Sequence, residues 1–170
     1  MGYIALSTVA NPEQPRRWIM KVSDILRVKG TILYTAGPDD ELKSAVDLMA
    51  DKDIGSLVVM SHGDLVGMLT FREVIARIVA NGGTLGSSIV RNAMDDAPLT
   101  CTVETDLDEV RRMMLDRHAR YMPVMDAKML MGVISLYDVA KAVVDSQNFE
   151  NKMLKAYIRD WPEDTSEGAA

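Results

Sequence analysis

The chain is written twice. A shift of 65 residues lays Leu42–Val79 over Leu107–Val144 without a gap. Identities fall at Leu42/Leu107, Asp51/Asp116, Val59/Val124, Met60/Met125, Leu65/Leu130, Gly67/Gly132, Val74/Val139 and Val79/Val144. Leu48/Met113, Leu69/Ile134, Thr70/Ser135 and Glu73/Asp138 are conservative pairs, and Thr35/Thr100 extends the register upstream. A gapless register with the apolar pattern kept requires the same supersecondary unit twice. One such unit is too small to bury its sheet face well, so the two must pack together.

Each copy has the same order of elements. In the first, Leu42, Ala45, Val46 and Met49 recur at helical spacing behind the start signal Pro38-Asp39. Ser56–Met60 reads as a buried strand, Ser61–Asp64 as a turn, Leu65–Leu69 as the returning strand, and Phe71–Ala80 as a second helix. In the second, Leu107, Val110 and Met114 mark the helix, Met122–Met125 and Met129–Ile134 the hairpin, and Leu136–Val144 the closing helix. Pro123 cannot donate to a sheet ladder and belongs near a strand start or edge. Short apolar helices precede the units at Val22–Leu26 and Val90–Met94, followed by extended pieces at Ile32–Ala36 and Leu99–Val103.

These readings divide the chain into an N-terminal extension (1–20), a first unit (21–80), a Gly/Ser linker (81–88) and a second unit (89–145). A C-terminal helical extension (146–159) and a disordered, acidic tail (160–170) complete it. The expected fold class is α/β: two β-α-β-β-α units packed sheet to sheet about a pseudo-twofold axis, with two equivalent clefts between them.

Bulk properties narrow the function. Hydrophobic residues make up 48% of the chain and aromatics 5%, so the core must be mainly aliphatic, with 13 Met to fill irregular gaps. A net charge of −6 argues against nucleic-acid binding, which needs a basic face. No apolar run approaches the ~18 residues of a membrane span. The N-terminal apolar stretch precedes Arg16 and Arg17, the wrong order for a secretory signal. The single Cys101 forms no zinc-spaced cluster and suits a reducing compartment, so the expected location is the cytoplasm.

The chemistry-bearing motif also occurs twice: Gly67-Met68-Leu69-Thr70-Phe71-Arg72-Glu73 and Gly132-Val133-Ile134-Ser135-Leu136-Tyr137-Asp138. Each ends a strand and opens a helix, where free backbone N–H groups can hold an anion. Thr-x-x-Glu and Ser-x-x-Asp are equally the pattern of a capping box that only starts a helix. The two roles use neighbouring donors and are compatible.

This doubled Gly-x-φ-Ser/Thr-x-x-Asp/Glu pattern, with the strand Tyr121-Met122-Pro123-Val124-Met125, resembles the cystathionine-β-synthase (CBS) domain family over about Val22 to Val144. The pair resembles a Bateman module. The resemblance implies an adenosine-containing ligand (AMP, ADP, ATP or NAD, with S-adenosylmethionine as the alternative) and a homodimer, head-to-head or head-to-tail. It implies that Asp138 holds the ribose diol, with Ser135 and Tyr137 beside it. The adenine then lies between the extended strand and the first hairpin strand, near Thr100, Cys101, Tyr121, Met122 and Pro123. In the first copy the counterparts are Thr70, Glu73, Thr35, Ser56 and Val58. Glu73 stands where the family has Asp, one methylene too long for the same grip. Arg72, Arg120 and the neighbouring Arg117 and His118 are candidates for phosphate, although a solvated helix face explains such charges equally well.

Three functions are weighed on these grounds. The first is a non-catalytic regulatory module that senses an adenine nucleotide and signals to a regulated protein. The second is an interaction module with vestigial clefts, using a C-terminal helix around Met153, Leu154, Tyr157, Ile158 and Trp161. The third is a nucleotide-processing enzyme, for which the sequence offers no paired nucleophile and base, no metal cluster and no P-loop.

Overall fold

A computed structural model describes residues 20–30 and 32–159. Most of the proposed N-terminal extension, the acidic tail, Trp161 and the side chains of Tyr157 and Ile158 lie outside the described residues. The elements run α1 (Val22–Lys29), β1 (Thr35–Ala36), α2 (Leu42–Asp51), β2 (Ser56–Ser61), β3 (Asp64–Thr70) and α3 (Phe71–Ala80). A 3-10 turn at Val90–Asn92 leads to α4 (Leu107–Asp116), β4 (Tyr121–Asp126), β5 (Met129–Ser135) and α5 (Leu136–Arg159).

The duplication extends into backbone detail. Strands β2 and β3 pair antiparallel, as do β4 and β5, and the register shifts between Val59/Met60 in one hairpin and Val124/Met125 in the other. These bulges fall on the repeated Val-Met dipeptide, which gives both hairpins the same local twist. His62 and Gly63 both have positive φ, as a tight two-residue hairpin turn requires. Strand β1 pairs in parallel with β2, whereas its counterpart in the second copy shrinks to one parallel bridge, Cys101 to Val124. Helix α5 continues without a break through 136–159 and so joins the closing helix to the C-terminal extension.

The leading segments cross over. Val22 and Ile25 of α1 are buried among Cys101, Leu107, Val110, Met114, Met122, Val124, Ile134 and Val139 of the second copy. Val90 is buried among Ala36, Leu42, Ala45, Met49, Leu57, Val59, Leu69 and Val74 of the first. Matching backbone bonds secure both crossings: Val22 N to Thr105 O at 3.0 Å and Leu107 N to Met20 O at 2.9 Å, against Val90 N to Asp40 O at 2.9 Å and Leu42 N to Ser88 O at 2.8 Å. Each fully buried Val contributes about 1.5–3 kcal/mol, so each unit draws stability from a helix that belongs, in sequence, to the other.

The motif glycines make the crossing possible. A Cβ on Gly132 would lie 2.6 Å from Leu26 Cδ2, and one on Gly67 would lie 2.6 Å from Met94 Sδ and 2.7 Å from the Asp95 carbonyl oxygen. At Gly67 a side chain would strike backbone, and at Gly132 it would push aside the Leu26 methyl, so the missing side chains let these segments seat closely on β3 and β5. Between the sheets lies a further apolar layer. Val58 and Met68 are buried yet belong to neither helix-facing cluster, because strand alternation turns them to the opposite face from Leu57 and Leu69. Pro123 is buried on the corresponding face of β4.

Candidate functional site

Helix α3 begins with a complete capping box. Thr70 Oγ1 accepts from Arg72 N at 3.2 Å, while Glu73 Oε2 accepts from Thr70 N at 3.0 Å and also from the Thr70 hydroxyl. Glu73 Oε1 takes the Arg72 Nε–H at 2.8 Å. Burial of the Glu73 carboxyl opposes its ionisation, but the bonds from Thr70 and Arg72 outweigh that cost and hold it below its ordinary pKa. The side chain of Glu73 is only 10% exposed, while that of Arg72 is 66% exposed and able to move.

This helix start faces the other unit. Thr70, Arg72 and Glu73 line a cavity of about 120 Å³ with Leu99, Arg117, His118, Arg120 and Tyr121. An adjoining lobe of about 550 Å³ shares Thr70, Arg72, His118, Arg120 and Tyr121 and adds the apolar walls of Phe71, Ile75, Met114 and Leu136. The larger lobe has the size of a small-molecule site, roughly 300–1,000 Å³. Three arginines and a histidine outnumber the two acids of the lining, Glu73 and Asp95, around a helix N-terminus, which leaves the cleft a place for an anion. His118 reaches it because the chain leaves α4 through a left-handed residue: His118 has φ 51°, and Ala119 N bonds to Met114 O at 2.8 Å.

The second helix start has the same capping box in different company. Asp138 Oδ2 accepts from Ser135 N at 2.8 Å and Ser135 Oγ at 2.9 Å, and Asp138 N donates to Ser135 Oγ at 3.1 Å. Lys29 Nζ then donates to the same Oδ2 at 2.6 Å and to Val133 O at 3.0 Å. Burial raises the Asp138 pKa, and the stronger effects of Lys29 and Ser135 bring it below the ordinary carboxylate value.

The CBS domain profile matches residues 22–80 and 90–145, more than half of the chain. The chain belongs to the CBS domain family. It is 31% identical over 147 residues to the CBS domain-containing protein CBSX3, mitochondrial, of Arabidopsis thaliana, covering 81% of this chain and 71% of that one. Its fold matches a putative signal-transduction protein with CBS domains from Burkholderia ambifaria, with a TM-score of 0.70, 29% identity, and 75% and 96% of the two chains covered. A solved structure of CBSX2 in complex with AMP shares the fold at 23% identity and a TM-score of 0.62, with 75% and 98% covered.

Within this CBS pair the residues singled out from sequence separate into four groups. Tyr121 and Arg120 join Thr70, Arg72 and Glu73 of the opposite unit, and the strand register also sets Tyr121 opposite Ser135. The Tyr121 hydroxyl fills the space over Gly55, where a Cβ would come within 1.8 Å of it. Ser135 and Asp138 meet Lys29, while Tyr137 points outward and is 74% exposed. Thr100 and Cys101 line a separate hollow of about 420 Å³ with Thr105, Glu109, Met113 and Met125, away from either motif.

Five residues offer little or no side chain to either cleft. Met122 is fully enclosed in the helix-facing core and Pro123 is buried. Val58 is enclosed between the sheets, and exposed Thr35 pairs with it across β1 and β2. Ser56 is half-buried opposite Thr70. Burial pushes the Cys101 thiol up to about 12, which makes it a core residue rather than a nucleophile.

Sequence reasoning missed Lys29, and it grouped Tyr121 with Thr100 rather than with the Thr70 helix start of the opposite unit. No spacing ties Lys29 to Asp138, because a helix crossing between units brings them together. Among the described residues no helix is long and apolar enough to cross a membrane, and no acidic, His or Cys group could hold a metal.

Proposed function

We propose that this CBS pair is a non-catalytic sensor of adenine nucleotides, binding AMP, ADP, ATP or NAD between its two units. One observation carries the reading: the Thr70–Glu73 helix start and Arg117–Tyr121 of the opposite unit line one cleft of ligand size. In this reading the phosphate takes the α3 N-terminus, Arg72 and Arg120, while Glu73 and the Tyr121 side set the sugar and base. The AMP complex of CBSX2 supports the ligand class. The arginine-rich lining favours a phosphorylated ligand over S-adenosylmethionine, whose sulfonium is a cation. Asp138 with Ser135 marks the second, related site, and Tyr137 stands outside it.

Regulation follows from the position of the cleft. A ligand held by both units favours one relative packing of them, and a partner protein reads the difference. The enzymatic alternative is weakened by the state of the acids. Glu73 and Asp138 are both held ionised by caps and cations, so neither is available as a general acid.

An interaction role is favoured by a different observation. Phe71, Ile75 and Val79 on α3 and Val144, Phe149, Met153 and Leu154 on α5 are large, apolar and exposed. We read the exposed apolar residues of α5 as the contact between two copies in a homodimer, beside which a regulated partner binds.

Isothermal titration with AMP, ATP, NAD and S-adenosylmethionine tests the reading. The expected result is saturable binding of at least one phosphorylated ligand, weakened about tenfold or more by Arg120→Ala, as loss of a charge-assisted contact requires. Failure of all four to bind would overturn it.

A further inference from the structure

The two helix starts are unequal, and the inequality lies in how each acid is neutralised. Glu73 is held by Arg72, its neighbour on the same helix, whose guanidinium extends into solvent. Asp138 is held by Lys29, which arrives from α1 of the other unit. The pseudo-twofold makes the contrast explicit. At Met68 the strand carbonyl accepts from the backbone N–H of Asp95 at 2.9 Å. At Val133, its equivalent, the carbonyl accepts from the Lys29 ammonium at 3.0 Å.

We propose that Lys29 is a tethered competitor for the Asp138 carboxylate, so that a ribose diol enters this cleft only by displacing it. The proposal rests on the nucleotide-sensing reading above. A vicinal diol needs both carboxylate oxygens, and Oδ2 already receives Ser135 N, Ser135 Oγ and Lys29 Nζ. The bond from Ser135 N and the one Ser135 Oγ accepts from Asp138 N are the helix cap and stay, whereas the hydroxyl proton of Ser135 can rotate away and free a lone pair. The lysine is the donor that must leave. Lys29 is also well placed to return, because Leu26, one turn earlier, is seated on Gly132 and fixes α1 against β5. A competitor attached to the fold lowers apparent affinity by the fraction of time that the site is open. The Asp138 carboxylate therefore takes ligand only at a higher concentration than it would with Lys29 neutral.

The test is AMP titration by calorimetry in an Arg120→Ala background, where the Asp138 cleft dominates the signal. Lys29→Met keeps the apolar stem and removes the charge; Lys29→Gln is a second neutral variant should the first fold poorly, and Lys29→Arg keeps the charge. The expected result is AMP affinity about fivefold higher in the neutral variants, the scale of one partly exposed ion pair acting as competitor. Lys29→Arg should stay weak, and adding Asp138→Asn should erase the gain. Unchanged affinity in the neutral variants would overturn the proposal, and weaker affinity would make Lys29 a ligand contact instead. If the chain without substitutions binds AMP and only the Lys29 variants disappoint, the competitor alone falls. If no form binds AMP, the nucleotide reading falls and the competitor with it.

Discussion

Lys29 Nζ lies 2.6 Å from Asp138 Oδ2, joining α1 to α5 across 109 residues of sequence. The pair sits at a unit boundary, with the Asp138 side chain 18% and that of Lys29 43% exposed. Asp138 and Glu73 both have depressed pKa values in the folded protein. The unfolded chain therefore takes up protons first as pH falls. Their stabilisation is complete above the ordinary carboxylate range and is lost as pH drops through the lower native values. Urea unfolding should give a midpoint that is level near neutrality and falls below about pH 4. Asp138→Asn and Glu73→Gln should each lower the neutral-pH midpoint and flatten the acid limb.

The glycines of the two motifs should differ in their tolerance of alanine. At Gly67 a Cβ meets the Asp95 carbonyl oxygen at 2.7 Å, which is backbone and cannot yield cheaply. At Gly132 it meets only the methyl end of Leu26. Gly67→Ala should cost about 2–3 kcal/mol and Gly132→Ala about 1 kcal/mol, the range for overpacking with and without backbone movement. Thermal unfolding of both variants measures the difference, and equal costs would contradict it.

Cys101 should be slow to react. Its thiol is buried and its pKa is pushed up to about 12. Labelling with a disulfide reagent at pH 8 should run at least about 100-fold slower in the folded protein than in urea, following the thiolate fraction. Comparable rates in the two states would show that the hollow beside Thr100 opens readily.

Asp53 and His118 occupy equivalent left-handed positions after α2 and α4, each with φ 51°. Glycine adopts this conformation without steric cost. Asp53→Gly and His118→Gly should each raise stability by about 1 kcal/mol. Only His118→Gly should weaken nucleotide binding, because His118 lines the cleft.

Much of the fold was legible because the repeat constrains each local reading twice. The hairpins, and helix α3 at Phe71–Ala80, lie within a residue or so of where period and turn signals put them. The capping boxes at Thr70 and Ser135 were equally readable, being local. What sequence did not reveal is long-range. The crossing of α1 and Val90–Asn92 between units depends on space left by Gly67 and Gly132, and it moves Lys29 onto Asp138. The same crossing logic sets Tyr121 beside Thr70 rather than grouping it with Thr100. Met122 shows the limit of strand adjacency as a guide: it lies next to Tyr121 in β4, yet alternation turns it into the core.

The most direct test is crystallographic. Crystals grown with saturating AMP should show phosphate density at the Thr70 helix start within reach of Arg72 and Arg120, and the ring between the two units. Well-ordered crystals with both clefts empty at saturating AMP, or with AMP bound only on an outer surface, would contradict the account.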